Sequence, residues 1–160
     1  MTTYHKLIEL LKQNKLTIST ADSCTGGLIS KLITDVPGAS EVFIGGVVSY
    51  SNEMKVRWLG VKQETLEQHG AVSENTVKEM LNGIMRQSGS DIAVAVSGIA
   101  GPTGGTPEKP VGTVFLGVLF RDQMMVKKYL FKGSRQEVRL KSAKKAEEMI
   151  HNLLDNIKII

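Results

Sequence analysis

With a single cysteine among 160 residues, the chain can form no internal disulfide, and its fold must rest on a packed core. The opening residues, MTTYHKLIELLKQNK, lack the apolar centre of a signal peptide, and no apolar run approaches membrane-spanning length. A cytoplasmic protein is the expectation. Internal repeats, low-complexity tracts and linkers are missing too, so residues 1–160 read as one domain. Histidine is scarce: His5, His69 and His151 have no neighbours that suggest a site, and the commonest general base is therefore not on offer.

What is present is ordinary for a globular protein. Hydrophobic residues at 41% and charged residues at 22% place the chain far from disordered composition. The net charge of +4 is unevenly placed. Residues 1–120 carry ten bases and eleven acids, whereas Arg121 to Lys145 holds nine bases against Asp122 and Glu137. That skew fits an anionic small ligand or nucleic acid, and fits equally a solvated helix face beside a lysine-studded strand edge. Tyr129 and Phe131 are the stacking aromatics of this basic third, few for single-strand binding.

Periodicity supplies the elements. Leu7, Ile8 and Leu11 predict a helix over about 4–14, and LTISTAD alternates as a strand does. GGLISKLIT predicts a helix closed by Val36-Pro37-Gly38, and EVFIGGVVSYS a strand whose glycine pair permits close backbone approach. Asn52 is placed to cap a short helix through Leu59. Ser73 should cap a longer one striped by Val77, Met80, Leu81, Ile84 and Met85. DIAVAVSG reads as a strand buried on both faces. Ser97 to Gly112 gathers five of the sixteen glycines and three of the four prolines, hence an irregular loop. TVFLGVLF and MMVKKYLF, parted by Arg121-Asp122-Gln123, predict a hairpin before a long helix over about 134–156. The order implies an α/β fold, a three-layer α/β/α sandwich over a mixed sheet.

The stretch TADSCTGG, at a strand-to-helix junction, carries the chemistry. Ser23 could be a nucleophile there, with Gly26 and Gly27 clearing the approach to backbone N–H groups. Asp22 or Ser23 could equally be a helix cap, and Cys24 is a rival nucleophile. A serine nucleophile needs a base, and Lys55 is the candidate. On a helix capped at Asn52 it lies in line with Val56 and Leu59, and burial among them would lower its pKa. A solvated lysine is the plainer alternative. Tyr50 precedes that helix and could support either residue. The loop SGIAGPTGG could cradle a phosphate through Thr103 and the backbone at Gly101, Gly104 and Gly105. It matches neither a Walker loop nor a dinucleotide fingerprint.

TADSCTGG, FIGGVVSYSNEMKVRWLGV, GAVSENTVKEM and VSGIAGPTGGTPEKPVGTVFLGV, in that order over nearly the whole chain, resemble the CinA C-terminal domain family, the nicotinamide-nucleotide amidases. The resemblance implies hydrolysis of the carboxamide of nicotinamide mononucleotide to nicotinic acid mononucleotide and ammonia, without cofactor or metal. It places the nucleophile at Ser23, the base at Lys55 and a supporting tyrosine at Tyr50. It also implies a homo-oligomer, most simply a dimer, with no nucleic-acid or membrane partner. One position departs: Asp22 stands where the family block usually has glutamate, a carboxylate one methylene shorter. Backbone groups at Thr25, Gly26 and Gly27, or in the Gly98–Gly105 loop, are the expected oxyanion donors. Arg139 is the expected ligand of the substrate phosphate, since a guanidinium matches phosphate geometry. Two other readings stay open: a noncatalytic nucleotide- or nucleic-acid-binding module using the basic third, and a hydrolase using Cys24.

Overall fold

Eleven regular elements and one 3-10 turn, Ala39–Glu41, follow one another in a computed structural model that describes residues 3–156. They are α1 (Thr3–Gln13), β1 (Ile18–Asp22), α2 (Leu28–Thr34), β2 (Phe43–Val48), α3 (Asn52–Leu59), α4 (Gln63–His69), α5 (Glu74–Ser88), β3 (Ile92–Gly98), β4 (Thr113–Phe120), β5 (Gln123–Leu130) and α6 (Arg135–Asn156). The five strands form one sheet in the order β2-β1-β3-β4-β5. β1 runs parallel to β2 and β3, and the β3–β4 and β4–β5 pairs are antiparallel. The predicted mixed sheet and three-layer sandwich are thus observed.

Strand β3 explains why two helical layers are needed. Ile92, Val94 and Val96 face α1, α2 and α6, where Leu7, Ile33 and Ile150 join the same cluster. Ala93 and Ala95 face the opposite way, and their small side chains let α5 come close with Met80, Leu81 and Ile84. A strand covered on both faces reads as a continuous apolar run, which is how DIAVAVSG reads.

Four details differ from the sequence expectation. Helix α4 was not anticipated, because QETLEQH offers Leu66 as its lone large apolar side chain. Ser51, not Asn52, caps α3, its hydroxyl accepting from Met54 N–H at 3.2 Å. The hairpin turn has two residues rather than three, since Gln123 pairs with Phe120 and Arg121 takes the left-handed region at φ 56°. Finally, α2 begins at Leu28 with Gly27 as its N-cap at φ 96°, so neither Asp22 nor Ser23 is the cap. Of the glycine pair in β2, Gly46 makes the close approach: a Cβ there would lie 2.0 Å from Thr20 Oγ1.

This topology positions the site. The three parallel strands end on the same side of the sheet, at Asp22, Val48 and Gly98. From β1 the chain goes to one neighbour, β2, and returns later on the other side as β3. Such a reversal opens a crevice beyond the strand ends, where α/β sheets bind ligands.

Candidate active site

Beyond those strand ends lies a pocket of about 240 Å³. Its wall includes Ser23 and Cys24 from the turn after β1, Tyr50 and Lys55 around the start of α3, Ser97 from β3 and Arg135 from α6. Ser23, Tyr50 and Lys55, dispersed over 33 positions, therefore share one cavity.

Lys55 is 1% exposed, among the largest fully buried side chains of the described residues. Its Nζ donates to Ser49 O at 2.7 Å and to Tyr50 O at 3.4 Å, and lies 3.0 Å from Ser23 Oγ. Burial disfavours the ammonium and lowers its pKa to about 8, against smaller opposing contributions from Cys24 and the Asp22 carboxylate. Two carbonyls account for the two N–H bonds of a neutral amine, so its lone pair is left to face the serine hydroxyl. This is the geometry of a nucleophile and its base.

The turn before α2 is ordered by Asp22. The carboxylate accepts from Thr25 N–H at 3.2 Å, from Gly27 N–H at 2.8 Å and from the Thr25 hydroxyl. Burial raises the pKa of Asp22, and these hydrogen bonds pull against that rise without cancelling it. The shorter aspartate thus reaches the donors of its own turn. Its backbone carbonyl accepts from both the N–H and the hydroxyl of Ser49, at 2.8 and 3.0 Å. Because Ser49 O in turn accepts from Lys55, the ends of β1 and β2 and the Lys55 amine form one connected unit.

Cys24 is buried beside Ser23, and desolvation pushes its thiol up to about 12. A thiol that stays protonated at neutral pH is a poor nucleophile. Tyr50 is 62% exposed at the pocket mouth, and its hydroxyl accepts from Arg135 at 3.1 Å. Arg135 also donates to Gly101 O at 2.7 Å, joining the α3 side of the pocket to the long loop.

The remaining residues singled out in the sequence divide. Arg139 is not on the pocket wall; its Nε and one Nη donate to Thr25 O at 3.2 and 2.6 Å. Thr25 is fully buried, and the N–H groups of Thr25, Gly26 and Gly27 are all bonded within the turn. Gly101 is buried under Arg135, whereas Thr103, Gly104 and Gly105 are exposed on the loop and line no part of the pocket. Sequence reasoning missed Arg135 and Ser97. The signal for Arg135 was present in GSRQEVR, where two arginines stand four residues apart on one helix face. Among the described residues no cluster of side chains suited to a metal ion occurs, and no helix is long and apolar enough to cross a membrane.

Comparison with known proteins matches nearly the whole chain. The profile of the family described as CinA C-terminal domain matches residues 2–154. A CinA-like protein of Thermotoga maritima is 53% identical over 148 residues, covering 92% of this chain and 36% of that protein. The chain spans about a third of the length of the curated relatives it matches. The crystal structure of competence/damage inducible protein CihA from Agrobacterium tumefaciens superposes with TM-score 0.90 at 39% identity, covering 96% of each chain. The competence damage-inducible protein A (ComA) of Klebsiella pneumoniae gives 0.91 at 37% identity, covering 96% of this chain and 98% of its own. A shared sheet, a shared helix order and this degree of identity over nearly every residue lead to one conclusion: the chain belongs to the CinA C-terminal domain family.

Proposed function

We propose that the protein is an amidase that hydrolyses the carboxamide of nicotinamide mononucleotide, with Ser23 as nucleophile and Lys55 as general base and acid. The observation that carries this reading is the 3.0 Å approach of a dry lysine amine to a serine hydroxyl inside a pocket. The substrate comes from the family resemblance, and the pocket suits it. At about 240 Å³ the pocket is small beside the roughly 300–1,000 Å³ of a site that swallows a whole drug-sized ligand, so it fits a pyridine carboxamide with ribose and phosphate toward the mouth. Arg135, at that mouth, is a better placed ligand for the phosphate than Arg139.

In the first half-reaction Ser23 Oγ attacks the amide carbon while its proton passes to the neutral Lys55 amine. The tetrahedral intermediate collapses with cleavage of the C–N bond, and Lys55 returns the proton to the leaving nitrogen, which departs as ammonia. Water then attacks the acyl ester, gives a proton to Lys55, and the collapse of that second intermediate releases the acid and restores the Ser23 hydroxyl.

The test is ammonia release from nicotinamide mononucleotide. Ser23→Ala and Lys55→Ala should each lower kcat at least a thousandfold, on the order of the loss when a member of a nucleophile–base unit is removed. Retention of the wild-type rate in both variants would overturn the reading.

A further inference from the structure

The donors of the nucleophile turn can be counted, and the count leaves one over. Ser23 N–H is turned to the Asp22 carboxylate, which also takes the N–H groups of Thr25 and Gly27. Gly26 N–H donates to Ser23 O at 3.1 Å and Leu28 N–H to Thr25 O at 3.3 Å. The Cys24 N–H has no acceptor among the described residues beyond its own sulfur, although Cys24 is 7% exposed and stands on the pocket wall. A buried main-chain donor without a partner is rare, and here it directly follows the nucleophile.

The carbonyl side of the turn is fixed from another element. Thr25 O accepts two N–H groups from Arg139, whose guanidinium lies so close that a Cβ on Gly26 would meet it at 3.0 Å. Asp22 thus holds the turn's donors from β1 and Arg139 holds its carbonyl from α6, with Cys24 between the two anchor points.

Resting on the serine nucleophile proposed above, we infer that the Cys24 main-chain N–H is the oxyanion donor of this site, and that Arg139 is a positioning residue that keeps it aimed. Arg139 then acts through the turn and not on the substrate. The tetrahedral oxyanion forms on the carbon bonded to Ser23 Oγ, next in the chain to that N–H, and acyl transfer gains when a main-chain donor meets the developing charge. This role replaces phosphate binding for Arg139.

The experiment uses p-nitrophenyl acetate, an activated ester that needs the nucleophile and an oxyanion donor but has neither phosphate nor carboxamide. Ser23→Ala sets the background. Arg139→Met should lower the Ser23-dependent kcat about ten- to hundredfold with KM within about twofold, the size of effect expected when a reacting group is misplaced by about 1 Å. Arg139→Lys should recover part of that loss. The same fold loss should appear in kcat for nicotinamide mononucleotide. A loss confined to the nucleotide and to its KM would instead make Arg139 a phosphate ligand and overturn the inference. If Arg139→Met does not fold, the decisive variant replaces residue 24 by lactic acid, turning its N–H into an ester oxygen, measured against Cys24→Ala, which keeps the N–H. A fall in kcat of about a hundred- to a thousandfold is expected, and an unchanged kcat overturns the inference. Ester turnover without turnover of the nucleotide would sink the proposed substrate and leave this inference standing. No Ser23-dependent turnover of either would overturn both.

Discussion

On the proposed serine–lysine mechanism Lys55 is the residue on which the chemistry turns, and its burial has consequences in two measurable quantities. Its pKa of about 8 leaves roughly a tenth of the amines neutral at pH 7. Since the neutral form is the base, kcat/KM should rise with pH through about 8 and then level. The effect on stability has a definite sign. The folded value lies below the ordinary value of 10.5, so between about pH 8 and 10.5 the unfolded chain binds more protons than the folded one, and stability rises with pH across that window. Below pH 8 the cost of the buried ammonium is present in full. Lys55→Met, which removes it, should therefore raise stability at pH 7 by about 1–3 kcal/mol, less whatever is lost by leaving Ser49 O without its donor. The gap should close as pH approaches 10.5. Urea unfolding of both proteins at pH 7 and pH 10 measures this, and a gap that stays constant would show that the fold does not lower the amine's pKa.

At the scale of elements, the sequence disclosed positions better than partners. The spacing of Lys55, Val56 and Leu59 on one helix face made a buried lysine a candidate beside the plainer solvated one, because a 3.6-residue period fixes which side chains share a side but not whether that side is covered. The same period could not choose between Arg135 and Arg139, which share a face on α6; the choice depends on how α6, packed on β4 and α2, meets the turn after β1 and the long loop, a tertiary fact. Gly83 is a second case. A glycine in the middle of the most regular helix pattern looks like a defect, yet a Cβ there would lie 1.9 Å from Leu59 O, at the end of α3. The glycine lets α5 rest on the backbone of the helix that carries Lys55. Gly83→Ala should thus destabilise the fold by about 1–3 kcal/mol through overpacking, although alanine is the better helix former by about 1 kcal/mol. Because α3 must move to make room, kcat should fall as well. A variant with a raised Tm and unchanged kcat would refute the contact.

At the scale of the whole molecule the open matter is what the basic third is for. Its charges do not form an open platform for bases. Tyr129 and Phe131 stack on each other at 5.4 Å and pack against the core beneath α6. Lys145 sits over the Tyr129 ring at 5.5 Å, and Lys128 over the Phe115 ring at 5.9 Å. Lys127 and Lys128 also stand exposed on β5, an edge strand of the sheet, where lysine discourages pairing with another chain. β2, the opposite edge, has no charged residue in FIGGVV. Rings engaged with each other, with the core and, at Tyr129, with Lys145 are poorly placed to stack on successive bases, so attraction to a polyanion would rest mainly on charge, and charge is screened by salt. A fluorescent single-stranded oligonucleotide should therefore show at most weak anisotropy change at 50 mM salt and none at 200 mM, with no dependence on Tyr129→Ala. Binding that survives 200 mM salt and is lost with Tyr129→Ala would mean that the stack opens for nucleic acid, and would move the function of this surface from solvation and steering to recognition.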